Sequence, residues 1–314
     1  YGALLNAYAQ AKVRDKAEAL MVRMRNKGYA NHPLQFNVMM ILYRKLNEFD
    51  KVEGLVSEMR NKGVTVNSCS YNIWLYSRGS QGSVEGMEDV FRQMLSDSSV
   101  DPDWITFCTM AAFYIKFGQY KKAEEFLKYL ELKMPRSRRP YRYLIRLYGN
   151  LGNKEEVYRI WNMYKSHFQG ISNWGYYVVI FSLFRLNDIE GAEKIYEEWV
   201  SKAGYDTRIG NLLMSWCAKV GSFDKIKGFF DHMVEAGGKQ NSTSWEIFGA
   251  AHVKEGRISE ALACFKEAAL CNGADKWKPK GTNMSAFLDL CEKEADAGSR
   301  EIFVGLLREL RLLS

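Results

Sequence analysis

The amino-acid sequence predicts an all-α solenoid built from about eight helix-turn-helix repeats. Three observations carry that expectation. Gly82, Gly118, Gly152, Gly221 and Gly256 recur at separations of 36, 34, 69 and 35 residues. Each follows one amphipathic stretch and precedes another with helical apolar spacing, and sustained period-two alternation is missing. Only five prolines interrupt 314 residues.

The 69-residue gap hides one repeat, with Asn187 near its midpoint. Asparagine is the next-best residue after glycine for the left-handed conformation that ends a helix, so Asn47 and Asn187 substitute at this turn. Five residues beyond the turn comes a small residue, Ala17, Ala123, Ala192 or Ala261, where two helices can approach closely. Val52, Met87, Val157 and Ile226 depart from that pattern, so packing there must adjust. Seven residues further on, Met24, Met59, Met94, Leu130, Tyr164, Trp199 and Met233, with Ala268 last, form a core stripe. The repeats then run 1–32, 33–67, 68–103, 104–137, 138–172, 173–206, 207–241 and 242–276, and 277–314 reads as a divergent capping helix pair. Its second helix is expected over residues 302–313. A single hairpin cannot bury its own apolar face, so stacking makes the core and the last pair closes its open end.

Hydrophobic residues make up 47% of the chain and charged residues 26%, enough to fold and unlike a disordered sequence. The formal charge of +7 points toward a polyanionic partner without making a uniformly basic coat. The six cysteines, at 69, 108, 217, 264, 271 and 291, form no Cys-x-x-Cys pair. They read as reduced small hydrophobes, not as a zinc or redox site. No apolar run approaches the length of a membrane span, so no membrane partner is expected. The chain opens at Tyr1 within a repeat, and a targeting segment is expected to lie outside it.

The details of the repeat resemble the pentatricopeptide repeat family, in its form without a catalytic tail, more than the tetratricopeptide repeats. Ser70-Tyr71-Asn72 opens a first helix, and Lys116-Phe117-Gly118, Lys219-Val220-Gly221 and Lys254-Glu255-Gly256 make Lys-x-Gly turns. Ala-Glu pairs lie in second helices, and Met-Arg-Asn-Lys-Gly closes two of them, at 24–28 and 59–63. The resemblance covers essentially the whole chain. It implies a right-handed alpha-alpha superhelix whose first helices line a groove for single-stranded RNA, one repeat to one base. In that family the fifth and last residues of a repeat select the base. Carried over, the pairs are Gly2/His32, Asn37/Asn67, Asn72/Asp103, Cys108/Ser137, Arg142/Ser172, Tyr177/Asp206 and Asn211/Asn241, with Glu246 opening an eighth. Asn37/Asn67 and Asn211/Asn241 match combinations for a pyrimidine, and Asn72/Asp103 matches uracil. The others depart from the code, which argues against an autonomous sequence reader. The family's base-sandwiching second residue falls on Leu34, Ile105 and Trp174, which could wedge bases, and on Cys69, Arg139 and Arg208.

Two basic features stand apart from the readable pairs, and Arg142, although at a fifth position, suits backbone more than a base edge. Lys45, Lys116, Arg185, Lys219 and Lys254 recur two residues before the turn, a spacing that suits successive phosphates. The helix dipole alone also favours cations there. Arg136, Arg138, Arg139, Arg142 and Arg146 cluster with Tyr141 and Tyr143 around Pro140. Arginine grips phosphate and stacks, and tyrosine stacks on an unpaired base, so this cluster is the leading local RNA contact. A solvated face over core tyrosines is the alternative reading. His32, His167, His232 and His252 are isolated, and no phosphate-binding glycine loop, nucleophile elbow or deaminase zinc motif occurs. The chain therefore reads as non-enzymatic, with no cofactor and no metal site. The resemblance implies a plant mitochondrial ribonucleoprotein subunit, specifically of the small subunit of the mitochondrial ribosome, located in the matrix with the chloroplast stroma as alternative. Its partners would be RNA, with ribosomal RNA ahead of messenger RNA, and other ribonucleoprotein subunits, with no DNA. The competing readings are a free factor for one transcript and a tetratricopeptide-like protein scaffold.

Overall fold

The computed structural model describes residues 1–202, 206–271 and 277–310. Among them the chain forms eighteen helices and no strand. They pair as α1 (Gly2–Gln10) with α2 (Arg14–Asn26), α3 (Pro33–Lys45) with α4 (Phe49–Asn61), and α5 (Ser68–Ser80) with α6 (Val84–Ser96). Next come α7 (Trp104–Lys116) with α8 (Tyr120–Lys133), α9 (Arg138–Leu151) with α10 (Lys154–His167), and α11 (Asn173–Arg185) with α12 (Ile189–Ser201). Then follow α13 (Thr207–Val220) with α14 (Phe223–Glu235), α15 (Ser242–Lys254) with α16 (Ile258–Leu270), and α17 (Gly281–Lys293) with α18 (Ala297–Glu309). The chain divides into two compact units, Tyr1–Tyr164 and Lys165–Ser314.

The hairpin turns sit where glycine and asparagine predict them. Gly82, Gly118, Gly152, Gly221 and Gly256 have φ between 72° and 86°, and Asn47 and Asn187 take the same region at 60° and 56°. Lys12 and Ala295 make the corresponding turns at φ 56° and 54°, where neither residue type predicts a left-handed bend. At the close-approach position all eight residues, including Val52, Met87, Val157 and Ile226, are at most 2% exposed. Larger side chains are thus absorbed there without opening the core. The stripe from Met24 to Ala268 is at most 4% exposed. The final helix begins at Ala297, earlier than its apolar pattern predicts, because Asp296 caps it by accepting from Ser299 N–H at 2.9 Å. The end expected at residue 313 lies outside the described residues, as does the segment 272–276.

In the first unit α1, α3, α5, α7 and α9 each pack on the next, and in the second α11, α13, α15 and α17 do the same. A tyrosine late in several first helices ties the hairpins together. Tyr43 Oη donates to Glu18 (3.0 Å), which also receives Lys51; Tyr114 donates to Glu88 (2.9 Å), which receives Lys122. Tyr148 donates to Glu131 (2.7 Å), which receives Arg159. Burial and the neighbouring carboxylate raise the phenols, Tyr43 to about 12. In the second unit Phe265, Phe287 and Phe303 interlock with ring centroids 4.6–5.5 Å apart, and Trp277 packs on Phe265 at 6.0 Å. The cap is therefore fused to the last repeat by aromatic burial. No described helix is long and apolar enough to cross a membrane.

Candidate nucleic-acid interface

The last residue of each repeat turns out to be the N-cap of the next first helix: His32, Asn67, Asp103, Ser137, Ser172, Asp206 and Asn241. Capping favours Asn, Asp and Ser, because a short side-chain oxygen satisfies the free amides of the first turn. Asn67, Asp103, Asp206 and Asn241 accept such bonds. The position expected to read bases thus has a folding duty as well.

At three junctions the fifth residue meets that cap directly. Asn37 Nδ2 donates to Asn67 Oδ1 at 3.2 Å, Asn72 Nδ2 to Asp103 Oδ1 at 3.1 Å, and Asn211 Nδ2 to Asn241 Oδ1 at 3.1 Å. These are the three pairs singled out in the sequence. The asparagines are buried, and a buried serine or threonine from the next repeat, Ser70, Thr106 or Ser244, completes each cluster. The departing positions are built differently. Burial pushes the Cys108 thiol up to about 12 despite the nearby Arg139 and Arg146. Glu246 is 7% exposed and accepts from Trp277 Nε1 (3.1 Å), Lys280 N–H (2.7 Å) and Asn283 Nδ2 (2.9 Å). Its carboxylate is consumed in holding the capping hairpin. Lys280, the N-cap of α17, thereby faces it where other repeats place their last residue.

The second-residue positions are open: Leu34 is 60% exposed, Ile105 38% and Trp174 41%. Trp174 already has ring company, stacking on Tyr177 at 5.0 Å with planes 4° apart, and Tyr177 on Phe181 at 6.3 Å. The Arg208 guanidinium lies 5.3 Å from the Trp174 ring and is held by both oxygens of Asp206. That hydrogen bond keeps the Asp206 carboxyl below its ordinary range.

The recurrent cations reach in several directions. Lys45 Nζ donates to Gln10 and Lys254 Nζ to the carbonyl of Ala218, both at 2.7 Å and both in the last turn of the preceding first helix. Lys116 lies 5.7 Å from Phe113, Lys219 lies 5.8 Å from Trp216, and Arg185 is exposed. On α9, Arg139, Arg142 and Arg146 share one face by their spacing of three and seven residues. Arg139 sits 5.7 Å from Trp104 and 5.8 Å from Tyr143. Arg136, Arg138, Arg139 and Arg146 are exposed, Arg142 half-buried, and Tyr141 buried in the core against Tyr164 at 5.2 Å. Among the described residues Arg136, Arg139, Arg142 and Arg146 have no carboxylate partner. The described residues hold no metal-binding group of His, Cys, Asp and Glu, and their cysteines are free thiols.

The hydroxyls of Ser70, Thr106 and Ser244 and the donors around Glu246 have no signature in the sequence beyond their repeat register. The PPR repeat model matches residues 1–29, 36–64, 105–133 and 211–238. A pentatricopeptide repeat-containing protein of Arabidopsis thaliana is 52% identical over 98% of this chain and 59% of its own length. Another from the same plant, named mitochondrial, is 34% identical over 100% of this chain and 63% of its own. The Arabidopsis thaliana large ribosomal subunit protein mL101 is 36% identical over 68% of this chain and 44% of its own. The chain thus spans less than two thirds of these relatives. Among solved structures, the maize pentatricopeptide repeat protein PPR10 shares the fold at 18% identity and TM-score 0.51, over 98% of this chain and 53% of that one. PPR10 in complex with an 18-nt psaJ RNA element aligns at 19% identity and TM-score 0.52, over 86% of this chain and 45% of that one.

Proposed function

Because this chain belongs to the pentatricopeptide repeat family, we propose that it is a non-catalytic binder of single-stranded RNA in plant mitochondria, held in a ribonucleoprotein. The observation that carries the reading is the set of first-helix positions that recurs within each unit. Asn37, Asn72 and Asn211 pair with Asn67, Asp103 and Asn241, exposed Leu34, Ile105 and Trp174 stand at the second positions, and Arg139, Arg142 and Arg146 line one face of α9. Bases would stack on the apolar and aromatic side chains, and phosphates would pair with the arginines and the recurrent lysines. The mitochondrial reading draws support from relatives named so.

In its finer form the RNA is ribosomal and the chain is docked among other subunits. One good base contact discriminates by about 1–3 kcal/mol, so three separated pairs cannot address a transcript alone. A relative named as a ribosomal protein supports docking in a ribosome. That relative is named for the large subunit, whereas the sequence resemblance implies the small one, so sedimentation must resolve both. Sedimentation of plant mitochondrial lysate under conditions that preserve ribosomes should carry the protein with one of the two subunits. Recovery at the top of the gradient, with crosslinks confined to one transcript, would instead establish the free-factor reading.

A further inference from the structure

The asparagines at the base-reading positions are buried, and a buried amide must satisfy both its oxygen and its nitrogen. At two junctions the hydroxyl of the following repeat does this. Ser70 Oγ lies 2.7 Å from Asn37 Oδ1 and 3.0 Å from Asn67 Oδ1. Asn67 Oδ1 already accepts from Ser70 N–H and from Asn37 Nδ2, so the single hydroxyl proton goes to Asn37 Oδ1. Thr106 Oγ1 accepts from Asp103 N–H at 3.2 Å and donates to Asn72 Oδ1 at 2.8 Å, the nearer of its two acceptors, since Asp103 Oδ1 lies at 3.1 Å. Both hydroxyl-bearing residues are 0% exposed. Turning either amide over would set its oxygen against Asn67 Oδ1 or the Asp103 carboxylate, acceptor against acceptor, and forfeit the hydroxyl's bond.

The third junction supplies the contrast. Ser244 Oγ accepts from Asn241 N–H at 3.3 Å and donates to Asn241 Oδ1 at 3.1 Å. Asn211 Oδ1 is left buried without a hydrogen-bond partner among the described residues. Similar residues in the same register therefore hold the amide by two bonds at Asn37 and Asn72 and by one, Nδ2 to Asn241 Oδ1 at 3.1 Å, at Asn211.

We infer that the third residue of a repeat is a specificity-determining positioning residue: Ser70 and Thr106 lock the amides of Asn37 and Asn72 so that each offers its remaining N–H to an acceptor on a pyrimidine edge. Asn211, held by its Nδ2 bond alone, turns over more readily and discriminates less. The inference rests on the RNA-binding reading above for its functional half, and on the hydrogen-bond geometry alone for the lock.

The test uses the full chain with Thr106→Val, which removes the hydroxyl at constant shape, and Thr106→Ser, which restores it. Side-chain amide exchange of asparagine-labelled protein reads the lock without RNA. Thr106→Val should speed exchange at Asn72 about tenfold, the equivalent of one hydrogen bond's net contribution, while Asn211 is unchanged. Selection from a randomised single-stranded RNA pool reads specificity. The preference at one nucleotide should relax several-fold in Thr106→Val and return in Thr106→Ser, with the rest of the selected sequence unaltered. Unchanged exchange at Asn72 in Thr106→Val overturns the lock. An unchanged base preference, or equal loss in both variants, overturns the specificity role. A wild-type chain that enriches no RNA defeats the functional reading and the specificity role with it, while exchange decides the lock separately.

Discussion

Glu246 stands where three other repeats carry asparagine, and its buried carboxylate gathers the Trp277 indole, the Lys280 amide and the Asn283 side chain. Removing an acceptor that satisfies three donors strands all of them, so Glu246→Ala should destabilise the protein by about 2–4 kcal/mol. Urea unfolding checks this, and a shift below about 0.5 kcal/mol, the range of ordinary surface substitutions, would remove Glu246 from its role as clamp. The arginines invite the opposite kind of experiment, because cations that are exposed, as Arg138 and Arg139 are, or half-buried at a helix surface, as Arg142 is, contribute little to folding. Replacing Arg138, Arg139 and Arg142 with Ala should leave the helical circular dichroism intact. The same variant should weaken RNA retention and flatten its salt dependence, by about 0.7 in log-log slope per lost phosphate contact. Unchanged crosslinking in that variant would place the RNA elsewhere.

At the scale of elements, the hairpin turns and the tyrosine-carboxylate ties carry the predictions. Ala295 turns between α17 and α18 at φ 54°, a conformation that strains any residue with a β-carbon. Ala295→Gly should therefore raise stability by about 1 kcal/mol, and a lower melting temperature would show that the turn is not strained. Lys122 and Tyr114 hold the Glu88 carboxyl below its ordinary range, and Lys51 and Tyr43 do the same for Glu18. A carboxyl depressed on folding adds stability that is fully present above the unfolded value near 4.3 and fades as pH falls through the lower folded value. Glu88→Gln should thus cost less than about 1 kcal/mol at pH 7 and lessen the loss of stability between pH 5 and 3. Parallel urea midpoints for wild type and variant across that range decide it, an identical acid limb counting against the tie.

For the molecule as a whole, the excess of seven cations among 81 charged residues, the sum of 44 and 37, is too small to bind RNA by net charge. The proposed RNA binding therefore depends on where the cations stand. Retention on single-stranded RNA should accordingly fall steeply with salt while remaining insensitive to a change of net charge made on second helices. Equal sensitivity to charges on either helix layer would point to a diffuse electrostatic coat.

Much of the fold was legible because helices and turns are local. Apolar spacing, a glycine or asparagine at φ near 60–86°, and the stripe from Met24 to Ala268 are each written within a few residues of where they act. The register of the repeats in turn named Asn37, Asn72 and Asn211 and their caps. Lys12 and Ala295 take the same turn at φ 56° and 54° although neither residue type favours it, so nothing local in the sequence marks them.

What only the tertiary structure decided is how those named side chains spend their hydrogen bonds. Ser70 lies 33 residues from Asn37, and Thr106 lies 34 from Asn72, yet each pair meets within 2.8 Å. Arg208 settles over Trp174, and Trp277 reaches Glu246. Such contacts depend on how one hairpin seats on the next and on which rotamer the seat allows. Periodicity fixes which residues share a face, and packing fixes which of their atoms touch.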